Sequence, residues 1–541
     1  MSAAPARVIV LGGGFGGVYT ALALERLAAK GAAVDVTLVN SENYFVFQPM
    51  LAEVIAGDVG IIDTLSPLRQ LLKTTRLFVR DVEAVDLAAR TVTLAPGLTR
   101  RPQKLEFDHL VVALGTVTDF RGIAGLPEHA MPFKTLADAV RIRNHVIGVL
   151  EQASEERDGD ERRAMLSFVV AGGGFSGTEV AAALNDFVRS AVRDYPSIPQ
   201  NEVRIVLVHS GARLLERELT PGLASYATTA LAAQGIELML NERLSAATPG
   251  SAVLGDGWRI PTRTLISTVP SSPNPVVESL GLPLVRGRLE CEATLAVKGP
   301  PGVWAVGDCA LVPMRDGQPS PPTAQHAIRQ AKLLANNIVA HETGAKARRF
   351  AFTGLGKLGA LGHRRAVAQL PLGVRLAGMP AWLMWRGVYW WKLPGAARKT
   401  RVAISWLSDL ALPPHPVQLN LGASRATAQA HYEEGEVIFA EGDAGDSLFM
   451  IIKGQVEVLK RFGDEQRTVG TLGPGEYFGE MALLGRDPRS ATARALTQLD
   501  VLVLSASDFS ALAGSLPEFR RPFEDIARRR TDANRDGSAD G

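Results

Sequence analysis

Two glycine runs are the first residues here whose type and spacing could do chemistry. Residues 12–17 read GGGFGG and residues 172–177 read GGGFSG, each fitting G-x-G-x-x-G. In such a loop the first glycine permits a tight turn and the second lets the backbone approach a pyrophosphate. The third lets the next helix pack closely, so that its N-terminal N–H groups face the anion. Those positions are Gly12, Gly14 and Gly17, then Gly172, Gly174 and Gly177. Each run follows an apolar β-like stretch (RVIVL, LSFVV) and precedes an Ala-rich helical one (VYTALALERLAA, TEVAAALNDFV), which is the context the motif requires. One loop alone could be a turn between buried elements. Its duplication argues for two dinucleotide sites.

The second strand of such a unit usually ends in a carboxylate that holds the ribose hydroxyls. Here VTLVN ends in Asn40, and IVLVH ends in His209, followed by Ser210. Asn40 keeps the capacity to hydrogen-bond a ribose. At His209 the missing carboxylate removes the repulsion that rejects a 2′-phosphate, and Arg213 follows, so NADPH stays open beside NADH. Downstream, GVWAVGDCA sets Gly307 and Asp308 after an apolar run. Alone this would be a common strand-to-turn Gly-Asp. After two dinucleotide loops, the aspartate is expected to accept hydrogen bonds from the ribityl chain of FAD.

The elements that must position these groups follow from the rest of the chain. With 541 residues, 46% of them hydrophobic, several compact domains can each bury a core. Lys and Arg total 58 against 56 for Asp and Glu, which gives no global field for holding nucleic acid. The only cysteines, Cys291 and Cys309, have no metal-ligand or dithiol spacing, so no disulfide scaffold, zinc site or other metal is expected and a reducing compartment fits. The N-terminus enters a strand directly, without the layout of an export signal. No stretch reaches the roughly 18 apolar residues of a spanning helix, so a membrane role would be peripheral.

In combination, VIVLGGGFGG, NYFVFQPMLAEVIAG (43–57), VVALGT (111–116), AGGGFSGTE (171–179), VWAVGD (303–308) and PPTAQHAIRQA (321–331) resemble the two-dinucleotide-binding flavoproteins, and within them the type II NADH:quinone oxidoreductases. The likeness continues through AWLMWRGVYWWKL (381–393) and ISWLSDL (404–410). It implies an α/β fold of two Rossmann-like domains, with the NAD(P)H domain (119–265) inserted between the two parts of the FAD domain (1–118 and 266–345). FAD would lie on Gly12, Gly14, Gly16, Gly17, Asn40, Gly115, Gly307, Asp308 and Ala324. The nicotinamide nucleotide would lie on Gly172, Gly174, Gly177, Glu179 and His209. Glu179 and Gln325 are the implied catalytic residues, and Gln325, Arg329 and Gln48 the implied quinone contacts. Where the family motif carries a second glutamine four residues after the first, this chain has Arg329, followed by Gln330. That departure bears on the identity of the quinone. Thr323 is expected to cap the helix whose N-terminus faces the flavin. Disulfide reductases and sulfide:quinone oxidoreductases of this fold need reactive cysteines beside the flavin, which this chain lacks.

Residues 346–410 would form a membrane-associating region. Five of seven tryptophans fall within 382–406 among Arg386, Lys392, Arg398, Lys399 and Arg401, the pattern of a helix lying in a bilayer surface from about 380 to 410. A buried Trp-rich core or a dimer interface is the alternative. The expected location is cytoplasmic, on the inner face of the cell membrane, and a homodimer is left open.

After a Pro-started linker (411–430), glycine-punctuated β runs over 431–530 predict a jelly roll, followed by a helix at about 516–530 and a disordered tail, 531–541. EEGEVIFAEGDAGDSLFMIIKGQVEV and YFGEMALLGRDPRSATARA resemble the cyclic-nucleotide-binding domain of catabolite activators, kinases and gated channels. The likeness puts a cyclic phosphate on backbone N–H groups near Gly479 and on Arg489, the ribose 2′-hydroxyl on Glu480, and a further hydroxyl at Ser490. Arginine suits phosphate because it donates in a planar, bidentate fork. cAMP and cGMP are not distinguished. No helix-turn-helix follows, against a transcription factor. Two other functions stay open: a soluble NAD(P)H-dependent flavin reductase with another acceptor, and a cyclic-nucleotide sensor on a poorly active flavoprotein.

Overall fold

A computed structural model of the chain describes residues 4–97, 101–118, 120, 123–248, 250–268, 271–409, 417–418, 427–432, 434–443, 445, 447–462, 465–480 and 488–505. Most of the expected linker, the expected helix at 516–530 and the expected tail lie outside the described residues. The chain divides into two compact units, 1–93 with 105–419 and 94–104 with 420–541.

In the first unit, the apolar strand Ala6–Leu11 lies at the centre of a five-stranded parallel sheet. It pairs with Val34–Asn40 on one side and His109–Val112 on the other, and Arg76–Val79 and Val303–Ala305 form the edges. The strand is buried nearly along its length, as befits a sheet covered on both faces. Between Val112 and Val303 the chain builds a second parallel sheet, from Met131–Pro132, Ser167–Ala171, Arg204–His209, Ile236–Leu240 and Thr264–Ser267. Thr116–Thr118 and Ser271–Pro273 pair antiparallel, carrying the chain out and back. The inserted topology is therefore present, with each glycine loop between a sheet's central strand and a long helix, Phe15–Ala28 or Phe175–Ala191.

Apolar side chains of the second sheet and its helices, among them Phe168, Phe187, Leu207 and Ile266, share one buried core. Leu51, Val54 and Ile55 of the short helix Leu51–Ala56 join it, as does Val367 of the later three-stranded sheet Lys357–Ala360, Ala366–Gln369 and Arg375–Gly378, together with Leu361, just after the first of those strands. Two helices follow, Met379–Lys392 and Ala396–Asp409. Trp382, Trp385 and Trp406 are buried in them, whereas Trp391 is 74% exposed. The buried alternative therefore holds for Trp382, Trp385 and Trp406, while Trp391 faces outward. Among the described residues no helix is long and apolar enough to cross a membrane.

The second unit contains two four-stranded antiparallel sheets. One runs Thr427–Tyr432, Leu499–Ser505, Ser447–Lys453, Tyr477–Phe478; the other runs Val437–Phe439, Thr492–Ala495, Val456–Phe462, Glu465–Leu472. Phe439, Phe449 and Phe478 pack between them, with Phe449 and Phe478 stacked at 5.1 Å. This is the expected jelly-roll arrangement.

Candidate functional site

The two glycine loops repeat each other in atomic detail. A Cβ on Gly17 would lie 1.8 Å from the Gly12 carbonyl oxygen, and one on Gly177 would lie 1.7 Å from that of Gly172. Only glycine permits so close a helix-to-loop approach. Gly12 and Gly172 have φ of +103° and +115°. Beside Gly14, by contrast, no heavy atom of the described residues lies within 4 Å of where a Cβ would stand. That side of the loop is open.

The non-acidic strand ends have a shared role. Asn40 Oδ1 accepts the Gly13 N–H at 2.6 Å, and His209 Nδ1 accepts the Gly173 N–H at 3.2 Å. Each props the middle of its loop from below. Because His209 Nδ1 accepts, Nε2 carries the proton, and that buried N–H has no hydrogen-bond partner among the described residues. A Cβ on Gly211 would approach both Glu216 Oε1 and His209 Nε2. A carboxylate from the following loop thus lies close to the strand end. Arg213 is exposed.

Gly307, with φ +79°, opens the turn that holds Asp308, and its N–H donates to Gln330 Oε1 at 2.9 Å. Buried Gln330 in turn donates to Ser320. Lys134, whose ammonium donates to Thr116 Oγ1 at 2.6 Å, lies within electrostatic reach of Asp308; burial lowers its pKa and the aspartate opposes that. Gly115, just before Thr116, also takes a positive φ. Thr323 occupies the N-cap position, but its hydroxyl meets His326 Nδ1 at 2.7 Å instead of a backbone N–H.

Ala324 and Gln325 begin the helix Ala324–Glu342. Gln325 Oε1 accepts the Leu355 N–H at 2.8 Å and its Nε2 donates to the Gly356 carbonyl at 3.0 Å, which fixes the orientation of the amide. Arg329 lies 3.9 Å over the Phe352 ring and donates to the Gln325 carbonyl oxygen. Gln48 is exposed, next to Phe47, which packs edge-on against Tyr389.

Glu179 sits one turn into the helix Phe175–Ala191 and accepts the Ala360 N–H at 3.1 Å. The segment 355–360 is thus held at one end by Gln325 and at the other by Glu179. Although some of the residue's surface is accessible, its carboxyl group is densely enclosed, and desolvation pushes its pKa up to about 8. The Trp385 indole N–H faces the same carboxyl off the line of a hydrogen bond. Tyr389 stacks edge-on against Trp385 at 4.7 Å; burial, and then the charges of Glu179 and Glu53, raise its phenol pKa.

In the jelly roll, Arg489 and Glu480 are buried. Arg489 Nη1 donates to the Gly479 carbonyl and Nη2 to the Ser447 carbonyl, both at 2.8 Å, with the guanidinium 4.1 Å over Phe439. Gly479 has φ +86°, and a Cβ there would strike Arg489. Ser490 is exposed, and residues 481–487 lie outside the described residues.

Residues 6–331 match the family model described as pyridine nucleotide-disulphide oxidoreductase. The chain belongs to that family. Residues 429–515 match the model of the cyclic nucleotide-binding domain. The chain is 32% identical over 416 residues to demethylphylloquinone reductase NdbB of Synechocystis sp., covering 75% of this chain and 97% of that one. It is 30% identical over 420 residues to the type II NADH:quinone oxidoreductase NdhA of Mycobacterium tuberculosis, covering 74% and 86%. Among solved structures, NDH2 from Plasmodium falciparum in complex with NADH superposes with a TM-score of 0.71 at 20% identity, over 76% of this chain and 99% of that one.

This pyridine nucleotide-disulphide oxidoreductase is an oxidoreductase whose own thiols are not poised for exchange. Cys291 and Cys309 are free and buried; burial raises both pKa values, that of Cys309 to about 11. The ligand atoms of His109, His341 and Glu342 lie close enough to suggest a metal. However, His109 Nδ1 accepts from Trp304 Nε1 and its Nε2 donates to Glu342, so both ring nitrogens are engaged. Sequence reasoning missed Lys134, Glu53, Gln330 and Tyr389. Glu53, Gln330 and Tyr389 lie inside the passages 43–57, 321–331 and 381–393 that carry the resemblance but have no role implied by it, and Lys134 lies in no motif.

Proposed function

We propose that this enzyme oxidises NADH and reduces a quinone, through FAD held by the first glycine loop. The observation that carries the reading is the duplicated cradle, with Glu179 and Gln325 fastened to opposite ends of one short segment between the two dinucleotide domains. It is supported by relatives named as quinone reductases. FAD, when bound, supplies two-electron transfer between nucleotide and quinone. Gly12, Gly14, Gly16, Gly17, Asn40, Gly115, Asp308 and Ala324 would hold it, with Lys134 balancing the charge of Asp308. Gly172, Gly174, Gly177 and His209 would hold the nucleotide. Glu216 beside His209 disfavours a 2′-phosphate, hence NADH over NADPH. Gln325, Arg329 and Gln48 would line the quinone's approach.

Met379, Leu383 and Trp390 form an exposed stripe at helical spacing, Trp391 is exposed beside it, and Ile404 and Leu407 add to the exposed apolar surface of the next helix. Lys399 lies near both exposed tryptophans. This surface suits docking on the inner face of the cell membrane, where a lipid-soluble quinone resides. In the C-terminal domain, Arg489, Glu480, Gly479 and Ser490 would take a cyclic nucleotide that modulates turnover. The test is anaerobic mixing of the yellow protein with NADH, then a short-chain quinone, while flavin absorbance is followed. Bleaching followed by recovery is expected; no bleaching with either nicotinamide nucleotide would refute the reading.

A further inference from the structure

Away from both glycine loops, the segment 346–350, KARRF, and the turn Met314–Gly317 border a cavity of about 650 Å³ that opens to solvent. Four cations line it: Arg315 from the turn, and Lys346, Arg348 and Arg349 from the segment. Ala293 and buried Phe350 supply an apolar part of the wall. Backbone bonds hold this wall in place. The Arg348 N–H donates to Oδ1 of buried Asn337 at 2.9 Å, and Asn337 Nδ2 donates to the Arg348 and Thr294 carbonyls, both at 2.8 Å. The Phe350 N–H donates to the Ala293 carbonyl at 2.7 Å, and in the turn the Met314 N–H donates to the Gln318 carbonyl at 2.9 Å. Among the described residues, no ion pair or hydrogen bond engages the side chains of the four cations. The flanking acids are occupied elsewhere: Glu292 accepts the Thr294 hydroxyl at 3.2 Å, and Asp316 Oδ1 accepts the Gln318 N–H at 3.0 Å.

Like charges gathered around one cavity repel each other, and a ligand with several negative charges relieves that repulsion. Three guanidinium forks match the oxygens of phosphate groups, which take paired hydrogen bonds from arginine. The volume is that of a small-molecule site. Its place in the fold favours a soluble ligand over a lipid headgroup. Asn337 lies about 20 Å along its helix from Ala324, at 1.5 Å per residue. Lys392, on the first tryptophan helix, is within electrostatic reach of Arg329, near the beginning of that same helix. The apolar docking surface therefore belongs to one end of the helix and the basic cavity to the other. We propose that this cavity is a site for a soluble ligand carrying two or more adjacent phosphates, inorganic or esterified. The site is independent of the NADH:quinone reading and separate from both dinucleotide loops and from the C-terminal domain.

The test is calorimetric titration of the full-length flavoprotein with sodium tripolyphosphate, with NAD⁺ and cAMP in excess so that other nucleotide sites are already filled. One binding event is expected, weakening as salt rises. Orthophosphate, with a single phosphate, should bind at least about tenfold more weakly. Arg348→Gln with Arg349→Gln, and separately Arg315→Gln with Lys346→Gln, should each weaken tripolyphosphate binding at least about tenfold. Asn337 holds the backbone of Arg348 and not its side chain, so both variants should keep the circular dichroism and flavin content of the parent. Absence of binding to the parent, equal affinity in both variants, or equal affinity for orthophosphate would overturn the proposal. So would binding of phosphatidylglycerol vesicles that the variants lose while tripolyphosphate does not bind, since the cavity would then serve a headgroup in a bilayer. None of these results alters flavin bleaching by NADH, whereas loss of bleaching in the parent would remove the functional reading and leave this site standing.

Discussion

Replacing Glu179 with glutamine should make the protein more stable, increasingly so as pH rises. The folded carboxyl group has a pKa of about 8 against an ordinary 4.5, chiefly because ionisation inside its enclosed site forfeits hydration. The folded state therefore prefers the protonated acid. The cost of ionising it is absent below about pH 4.5, accumulates between 4.5 and 8, and is fully present above about 8. Without screening, the displacement corresponds to roughly 5 kcal/mol at about 1.36 kcal/mol per pH unit; partial access to water reduces this to roughly 2–4 kcal/mol. Glutamine avoids the cost and can still accept the Ala360 N–H. Thermal or urea unfolding of parent and Glu179→Gln, compared at half-unit steps from pH 5 to 9, gives the difference directly, since other titrating groups are common to both. The gap should widen in favour of the variant across that range. Parallel curves, or a gap that moves by less than about 1 kcal/mol, would refute the argument that desolvation governs this carboxyl.

The glycine cradle makes a paired prediction. Gly17→Ala, whose Cβ would lie 1.8 Å from a backbone oxygen, should give misfolded or colourless protein, whereas Gly14→Ala, with open space beside it, should fold normally. Flavin content and circular dichroism separate the two, and a folded, fully flavinated Gly17→Ala would count against the close-packing argument. Glu216→Gln should narrow the preference for NADH over NADPH by about tenfold in flavin-bleaching titrations, equivalent to about 1.4 kcal/mol. An unchanged ratio would show that Glu216 does not replace the strand-end acid. Trp391→Ser with Leu383→Ser should lower partitioning onto anionic vesicles at least about tenfold, because each loses apolar surface available for burial. Partitioning equal to the parent would place the docking surface elsewhere. Arg489→Leu gives up charged hydrogen bonds to the Gly479 and Ser447 carbonyls, each worth about 1.5–3 kcal/mol. Unfolding of the jelly roll should therefore shift to lower temperature, and cAMP and cGMP should no longer raise it.

Chemistry that depends on neighbours in sequence was legible without a structure. The glycine loops and the Gly307–Asp308 turn are local solutions to backbone geometry, so their residue types reveal them. The FGE and PRSAT passages did the same for the jelly roll, where Arg489 and Glu480 prove buried. What could not be read were groups made significant by packing alone. Arg315 is an ordinary turn residue until the segment 346–350 brings three more cations to the same cavity. Lys134 acquires its meaning from Asp308, which lies far along the chain. The tryptophans leave an interfacial and a buried reading open in the sequence, because their density masks the helical phase. Trp382 and Trp385 lie three residues apart on the inner face, and Trp391 points outward. The role of His209 as a prop under Gly173 was likewise hidden, since sequence compares it only with the acid that is missing.

The insertion of one Rossmann sheet inside another imposes an order on how the molecule is made. Val303–Ala305 completes the first sheet by pairing with Leu110–Val112, across the whole of the second sheet. Emerging from a ribosome, the inner domain has all its strands before the outer one has its last, and long-range pairings of this kind close late. Gly307 and Asp308 follow that final strand directly. The turn proposed to complete the flavin site is therefore made only after the inner sheet has been synthesised. With the flavin held as proposed, retention of FAD would report that the whole nested assembly has closed, and a damaged inner domain should release flavin even when every proposed contact residue is intact.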